Sequence, residues 1–259
     1  YPEELKEVLV LIRDDDEGTI AKAQEAIDEL GKPNIRLVTF NTGPINKPHS
    51  LNIGLREATK DVVCVFDAED EPHPELYNVI NTVMLRDNAD VVQSGVQLMN
   101  FRSTWFSALN VLEYFFWFKS GLKCFTRQFH VTPLGGNTVF FKKHWLEAIG
   151  GWDEACLTED ADVGIRLTLA GAKIQIVYDA EYATQEETPA NVESFIKQRT
   201  RWCQGFYQVF FKGDWAKLPM FTQKMTAIYI LLNSLMQAAI VLFLPLGAYI
   251  ALRSEEHTS

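Results

Sequence analysis

The stretch Val62-Val63-Cys64-Val65-Phe66-Asp67-Ala68-Glu69-Asp70-Glu71 runs five apolar residues straight into four acids in five positions. The apolar half is what a strand buried on both faces requires. Like charges crowded at its end repel one another. A solvated turn tolerates that, and so does a site that gathers carboxylates around a cation. In an extended chain, side chains two apart point the same way. Asp67 and Glu69 are therefore expected on one face, with Asp70 close by in the turn. Two or three hard oxygen ligands, with positions left open for a phosphate, suit Mg²⁺ or Mn²⁺.

The same rhythm extends outward in both directions. Val8-Leu9-Val10-Leu11-Ile12 is another continuous apolar run, and Ile20, Ala23, Ile27 and Leu30 follow at helical spacing up to the stop signal Gly31. Ile35 to Phe40 reads as a strand and Ser50 to Ala58 as a short helix. Pro74 is placed to open a helix with Leu76, Val79, Ile80 and Val83 on one face. Ala89 to Leu98 reads as one strand. This βαβα order predicts an α/β fold with a mainly parallel central sheet, in which ligands bind beyond the carboxyl ends of the strands. A second acid cluster, Asp14-Asp15-Asp16-Glu17, follows the first strand at that same edge.

At 259 residues, 47% hydrophobic and 22% charged, the chain has the make-up of a globular α/β domain with additions. A formal net charge of -10, with no long basic run, argues against a nucleic-acid partner. Cys64, Cys124, Cys156 and Cys203 lie far apart without a C-x-x-C pair. They predict neither a disulfide framework nor a zinc site and suit a reducing compartment. No G-x-G-x-x-G follows a strand, and Leu134-Gly135-Gly136-Asn137 lacks the spacing, which argues against a dinucleotide-dependent dehydrogenase.

Met225 to Leu252 contains no charged residue and exceeds the ~20 residues that span a bilayer as a helix. A transmembrane helix is expected there, although Asn233, Gln237, Pro245 and Gly247 weaken the signal and a buried core helix is the alternative. Lys212, Lys217 and Lys224 precede it. By the positive-inside tendency, the domain before them is cytoplasmic, at the inner (plasma) membrane. Trp105 to Phe118, aromatic-rich with Glu113 as its single charge, is either a core helix or one at the membrane interface or along a substrate channel. The expected divisions are a domain over 1–211, an interfacial connection over 212–224, a membrane helix over 225–252 and a non-native polar tail over 253–259. Both ends read as truncated.

Two further motifs carry chemistry. Leu157-Thr158-Glu159-Asp160-Ala161-Asp162 follows the turn Gly150-Gly151-Trp152-Asp153. Thr158 looks like a helix N-cap. The acids either complement the helix dipole or include a general base for a sugar hydroxyl. Gln198-Arg199-Thr200-Arg201-Trp202 falls in a helix expected from about Ala190 to Phe211, where Gln198, Arg201 and Trp202 share one face. Arginine offers a donor fork for phosphate or carboxylate, tryptophan a flat platform for a sugar ring, and glutamine orientable hydrogen bonds. A plain surface patch with one buried Trp is the alternative.

The "DDD", "FDAED", "TED" and "QRTRW" segments stand in the order and approximate spacing of the D, DxD, TED and QxxRW motifs. The chain thereby resembles family 2 glycosyltransferases, specifically the processive membrane branch of cellulose, hyaluronan, chitin and poly-N-acetylglucosamine synthases, from residue 7 to about 252. The resemblance implies a nucleotide-diphospho-sugar transferase (GT-A) domain followed by a transmembrane segment. It also implies metal-dependent, inverting transfer from a UDP-sugar to the end of a growing β-linked polysaccharide at the bilayer. It assigns nucleotide contact to Asp15, with Asp14 and Asp16 as rivals. Lys47, in Lys47-Pro48-His49-Ser50-Leu51-Asn52, falls near the donor. Asp67 falls on the Mg²⁺ or Mn²⁺ and the diphosphate, with Glu69, favoured by position, or Asp70 as second ligand. Asp160 maps to the general base. Gln198, Arg201 and Trp202 map to the segment that pins the diphosphate, and Trp202 with Glu159 to the acceptor end. The chain departs from the family in lacking a P-x-Y-N-E-like first strand and in having one clear membrane segment. Two other readings stand beside this one: a non-processive family 2 transferase adding one sugar to a lipid or short glycan, and an inactive carbohydrate- or nucleotide-binding membrane subunit.

Overall fold

The computed structural model describes residues 1–256. Strands β1 (Val8–Arg13) and β2 (Ile35–Phe40) pair in parallel across helix α1 (Glu17–Leu30). Helix α2 (Lys47–Glu57) leads into β3 (Val62–Val65), and α3 (Leu76–Arg86) into β4 (Val91–Gln93) and β5 (Val96–Leu98). Helix α4 (Trp105–Phe116) continues through a π-turn into α5 (Leu122–Phe129). Then come β6 (Val139–Lys142), α6 (Lys143–Ala148), α7 (Glu159–Ala170), β7 (Ile174–Ile176) and β8 (Thr184–Glu186). Helices α8 (Val192–Lys212), α9 (Phe221–Leu231) and α10 (Asn233–Glu256) follow.

The central sheet has the order β3-β6-β4-β7. β3, β4 and β7 run the same way, as expected, but β6 is antiparallel to both of its neighbours. The sheet is therefore mixed. This insertion places the site: Val139, the first residue of β6, pairs with both Val65 and Gln93. The loop before β6 thus arrives at the edge where β3 and β4 end. Alternation along the strands covers both faces. Val91 and Phe141 join one core with Leu55, Leu146, Trp152 and Leu167, while Val92 and Phe140 join the other with Leu76, Ile80 and Val83.

Three local expectations shift. The Ala89–Leu98 run breaks into two strands at Ser94-Gly95, where Ser94 N–H donates to Thr138 O (3.0 Å) and β5 leaves to pair with β8. Helix α3 starts at Leu76, because Leu76 N–H first closes a turn on His73 O (2.9 Å). Helix α2 starts at Lys47, because Asn46 Oδ1 accepts the His49 N–H (3.0 Å) and caps it there.

The apolar C-terminal run is not one helix. Helix α9 buries Ala227 and Ile230 against Val131 and Leu218, and Leu231 against Cys156, Ile165 and Val209. It is part of the domain core, so the division expected at 224/225 falls inside it. The chain then bends by 62°, and α10 carries Leu235, Ile240, Val241, Leu242, Phe243 and Leu244 exposed. No single helix among the described residues is long and apolar enough to cross a membrane; α9 with Asn233–Pro245 passes on length and composition only as a bent pair. Of the 253–259 tail, residues 257–259 lie outside the described residues.

The positive-inside argument also weakens. Lys212 donates to Asp153 (2.8 Å) and to the 1% exposed Asp162 (2.7 Å), and Lys217 to Asp214 (2.7 Å). Two of the three cations are thus neutralised locally. Helix α4 is two-faced: Phe106, Ser107 and Asn110 are buried, while Trp105, Leu109, Leu112 and Phe116 form an exposed apolar stripe. All four cysteines are free thiols.

Candidate active site

The acids after β3 form a tight turn rather than an extended segment. Asp70 N–H donates to Asp67 O (3.1 Å), and Asp67 N–H donates back to Asp70 Oδ2 (2.8 Å). The same-face argument for Asp67 and Glu69 therefore does not hold, and Glu69 sits exposed at the corner of the turn. Asn137, from the loop before β6, donates to the other Asp70 oxygen, Oδ1 (3.0 Å). Both Asp70 oxygens are thus engaged in holding the turn, and burial pushes its carboxyl up to about 6. Glu71 and Gln185 exchange backbone hydrogen bonds (3.0 Å each), clamping the turn to β8.

Lys47 enters from the first turn of α2. Its Nζ contacts the Asp67 carboxylate and donates to Gly136 O (2.9 Å). A methyl group at Gly136 would stand 3.4 Å from Asp160 Oδ2 and 3.9 Å from Lys47 Nζ. The structure therefore brings Lys47, Asp67 and Asp160 around one glycine. Among the described residues no three His, Cys, Asp or Glu side chains gather at metal-ligating spacing. Asp67 already faces a cation, the Lys47 ammonium, and a single carboxylate of this kind suits an ion whose other positions are filled by phosphate oxygens and water.

Glu159 and Asp160 open α7. Glu159 is buried, and burial pushes both neighbouring carboxyls up, Asp160 included; Lys47 and Arg201 pull the other way. Thr158 holds the N-cap position without a capping side-chain bond. Its methyl and hydroxyl face Gly205 of α8, where a Cβ would lie 2.4 Å from Thr158 Cγ2 and 2.7 Å from Thr158 N. Only glycine permits this approach, which seats α8 against the start of α7 and lets the Arg201 charge reach Glu159 and Asp160.

Within that segment the two arginines divide. Arg199 ties α8 to α4: it donates to Glu113 (2.5 Å), contacts Asn110 and lies over the Trp202 ring (4.5 Å). Trp202 in turn packs on Tyr114 at 6.2 Å. Arg201 is exposed, and its charge is felt at Glu159 and Asp160. Gln198 Oε1 is buried with no partner among the described residues.

The acids after β1 also divide. Asp16 caps α1, accepting from Thr19 N–H (3.1 Å) and Thr19 Oγ1 (2.7 Å). Asp15 is paired with Arg13 Nη2 (2.9 Å), which holds its carboxyl below the usual range. Asp14 is exposed, its backbone N–H donating to Phe40 O (3.0 Å).

The roles of three residues escaped the sequence reading. Asn137 belongs to the Gly135-Gly136-Asn137 stretch weighed only as a dinucleotide motif. Glu186, at the end of β8, faces the turn; burial, then the charges of Asp70, Asp67 and Glu69, push its carboxyl up to about 7. Asp162 binds Arg166 Nε (2.7 Å) and Lys212, joining α7 to α8. Its one legible signal was the i,i+4 spacing to Arg166.

A family model described as "Glycosyltransferase like family 2" matches residues 1–205. The chain is 26% identical over 219 residues to a probable glycosyltransferase, YdaM, of Bacillus subtilis (strain 168), covering 82% of this chain and 50% of that protein. It is 25% identical over 240 residues to the poly-beta-1,6-N-acetyl-D-glucosamine synthase of Staphylococcus epidermidis, covering 90% and 54%. It is 26% identical over 215 residues to the beta-monoglucosyldiacylglycerol synthase of Nostoc sp., covering 80% and 44%. The chain thus spans about half the length of these relatives. Two solved structures share the fold. One is the mannosyltransferase PcManGT from Pyrobaculum calidifontis with GDP-Man and Mn²⁺ (TM-score 0.65, 21% identity, covering 97% of this chain and 73% of that one). The other is S. aureus TarS 1-349 with UDP-GlcNAc (TM-score 0.63, 14% identity, covering 90% and 64%). The mixed α/β architecture is GT-A-like, and the chain belongs to glycosyltransferase-like family 2, as a glycosyltransferase domain of that family.

Proposed function

We propose that the chain is the catalytic part of an inverting transferase that moves a sugar from a UDP-sugar to the end of a growing β-linked polysaccharide. The convergence of Lys47, Asp67 and Asp160 around Gly136 carries this reading. It sets a cation-paired carboxylate, Asp67, and a half-buried carboxylate of raised basicity, Asp160, on the two sides of the Lys47–Gly136 contact.

In this reading Asp67 and Glu69 hold Mg²⁺ or Mn²⁺. Glu69 is preferred because both Asp70 oxygens are engaged in the turn. When bound, the ion neutralises the charge that builds on the leaving diphosphate. Lys47 and Arg201 add cationic stabilisation to the same group. Asp160 accepts the proton of the acceptor hydroxyl, whose oxygen attacks the anomeric carbon and inverts it. Burial suits Asp160 to this role, because a raised carboxyl is a stronger base. Glu159, Trp202 and the unpartnered Gln198 line the acceptor end. Nucleotide contact falls to Asp15 or Asp14, since Asp16 is committed to its helix cap.

Membrane attachment is part of the proposal. The apolar stripe of α4 and the exposed apolar length of α10 are suited to lipid. A second reading, addition of a single sugar to a lipid, draws support from the glycolipid synthase that matches about as well as the polymer synthase. One experiment decides between them. The chain, in lipid vesicles with Mn²⁺, is given UDP-glucose, UDP-N-acetylglucosamine and GDP-mannose in turn. Nucleotide release is recorded and product length is measured. Polymer from a UDP-sugar supports the first reading and a single-sugar lipid the second; no release from any donor contradicts both.

A further inference from the structure

Lys47 is the cation in contact with Asp67, the first acid after β3. Its position is unusual for a lysine. It is the first residue of α2, and a helix N-terminus already carries partial positive charge, which disfavours a cation. The ammonium is held instead by the Asp67 carboxylate and the Gly136 carbonyl, with Asp160 on the far side of the same glycine.

The backbone beneath it is fixed. Asn46 Nδ2 donates to Glu154 O (2.7 Å), and Asn52 Nδ2 donates to Trp152 O (2.8 Å) and Glu154 Oε1 (3.0 Å). Trp152 N–H donates to Asn52 Oδ1 (2.9 Å), and His49 Nδ1 lies 2.9 Å from Glu154 Oε1. Helix α2 is thus pinned to the turn that precedes α7, so Lys47 can change partners only by rotating its own side chain.

A divalent ion on Asp67 and an ammonium at contact distance use the same carboxylate and repel each other. A nucleotide diphosphate offers the ammonium a second, more highly charged partner nearby. We propose that Lys47 is a tethered counter-cation, which excludes a divalent ion from Asp67 until a nucleotide diphosphate draws its ammonium away. Metal and nucleotide then bind cooperatively, and the coupling is reciprocal. This rests on the reading of Asp67 as the carboxylate shared by metal and diphosphate.

The test is a titration of the 259-residue chain with Mn²⁺, following free Mn²⁺ by its EPR signal, with and without UDP, each read against the same Mn²⁺–UDP mixture without protein because the diphosphate itself chelates Mn²⁺. In the wild type, UDP should tighten Mn²⁺ binding by on the order of tenfold. Lys47→Gln should bind Mn²⁺ without UDP on the order of tenfold more tightly than the wild type, with a smaller further gain from UDP. Lys47→Arg should keep the wild-type pattern, and adding Asp67→Asn to Lys47→Gln should remove the gain. A lysine that merely supports the fold does not tighten metal binding when removed. Unchanged or weaker Mn²⁺ binding by Lys47→Gln overturns the proposal while leaving the metal reading of Asp67 to the UDP effect; a gain that survives Asp67→Asn overturns both. If UDP fails to tighten Mn²⁺ in the wild type, that metal reading falls, and the role of Lys47 with it.

Discussion

The two sides of the candidate site, a loop wall and a helix wall, are held in different ways. The wall after β3 is a loop, kept in shape by hydrogen bonds: Asp70 to Asp67, Asn137 to Asp70, and Glu71 to Gln185. The opposite wall is a helix contact, in which Gly205 of α8 meets Thr158 at the start of α7 and Asp162 joins both helices through Arg166 and Lys212. Loss of one hydrogen bond in a loop is a local event. Loss of a close helix approach moves every residue on the helix together. The loop wall should therefore fail by degrees and the helix wall all at once.

The largest effect is expected from Gly205→Val. The added side chain meets Thr158 backbone as well as its methyl, so the helices must separate. About 3 kcal/mol of stability should be lost, with donor turnover abolished at temperatures where the chain remains folded. Thermal unfolding and nucleotide release check this. A variant that keeps both would show that the helix wall is as forgiving as the loop.

A middle-sized effect is expected from Asn137→Ala, which leaves Asp70 Oδ1 without its donor. The loss should be about 1–2 kcal/mol, with a raised KM for donor and turnover retained. Equal loss of kcat and kcat/KM would instead place Asn137 among the groups that act in the transition state.

The last effect, absent at low pH, is expected from Glu186→Gln, and it has a pH signature. The Glu186 carboxyl is raised to about 7 from an ordinary 4.5. Between those values the unfolded chain is ionised while the folded chain still holds the proton. Stability from this group is complete below the ordinary value and is lost as pH rises through 7. Glutamine removes that loss, so its Tm should match the wild type near pH 4 and exceed it at pH 8. An equal offset at both pH values would separate Glu186 from the acid turn.

Much of this was legible in the sequence because it depends on neighbours in the chain. β3 is an unbroken apolar run. α8 extends over nearly its expected length, so Gln198, Arg201 and Trp202 share a face by helical geometry alone. What stayed hidden depends on residues far apart in the chain. β7 and β8 are three residues each, too short to show a period. Asn137 meets Asp70 only because β6 inserts between β3 and β4. Lys212 looked like a membrane-flanking cation because its partner Asp162 lies fifty residues away. The break before α10 depends on α9 packing against Val131 and Leu218, which hydropathy does not register. The Asp67–Asp70 segment was misjudged in its local geometry. A period of two assumes an extended chain, and the turn takes Asp70 rather than Glu69 as the partner of Asp67.

The central claim is that Asp160 is the base of a sugar transfer. Asp160→Asn keeps the shape of the side chain and removes its basicity. Nucleotide release under saturating donor, measured alongside UDP binding, should show turnover reduced by about 10² to 10⁴-fold with UDP affinity unchanged. The wild type should lose activity on acidification at a pH above the ordinary carboxylate range, because burial lifts the Asp160 carboxyl. Turnover retained in Asp160→Asn would contradict the account.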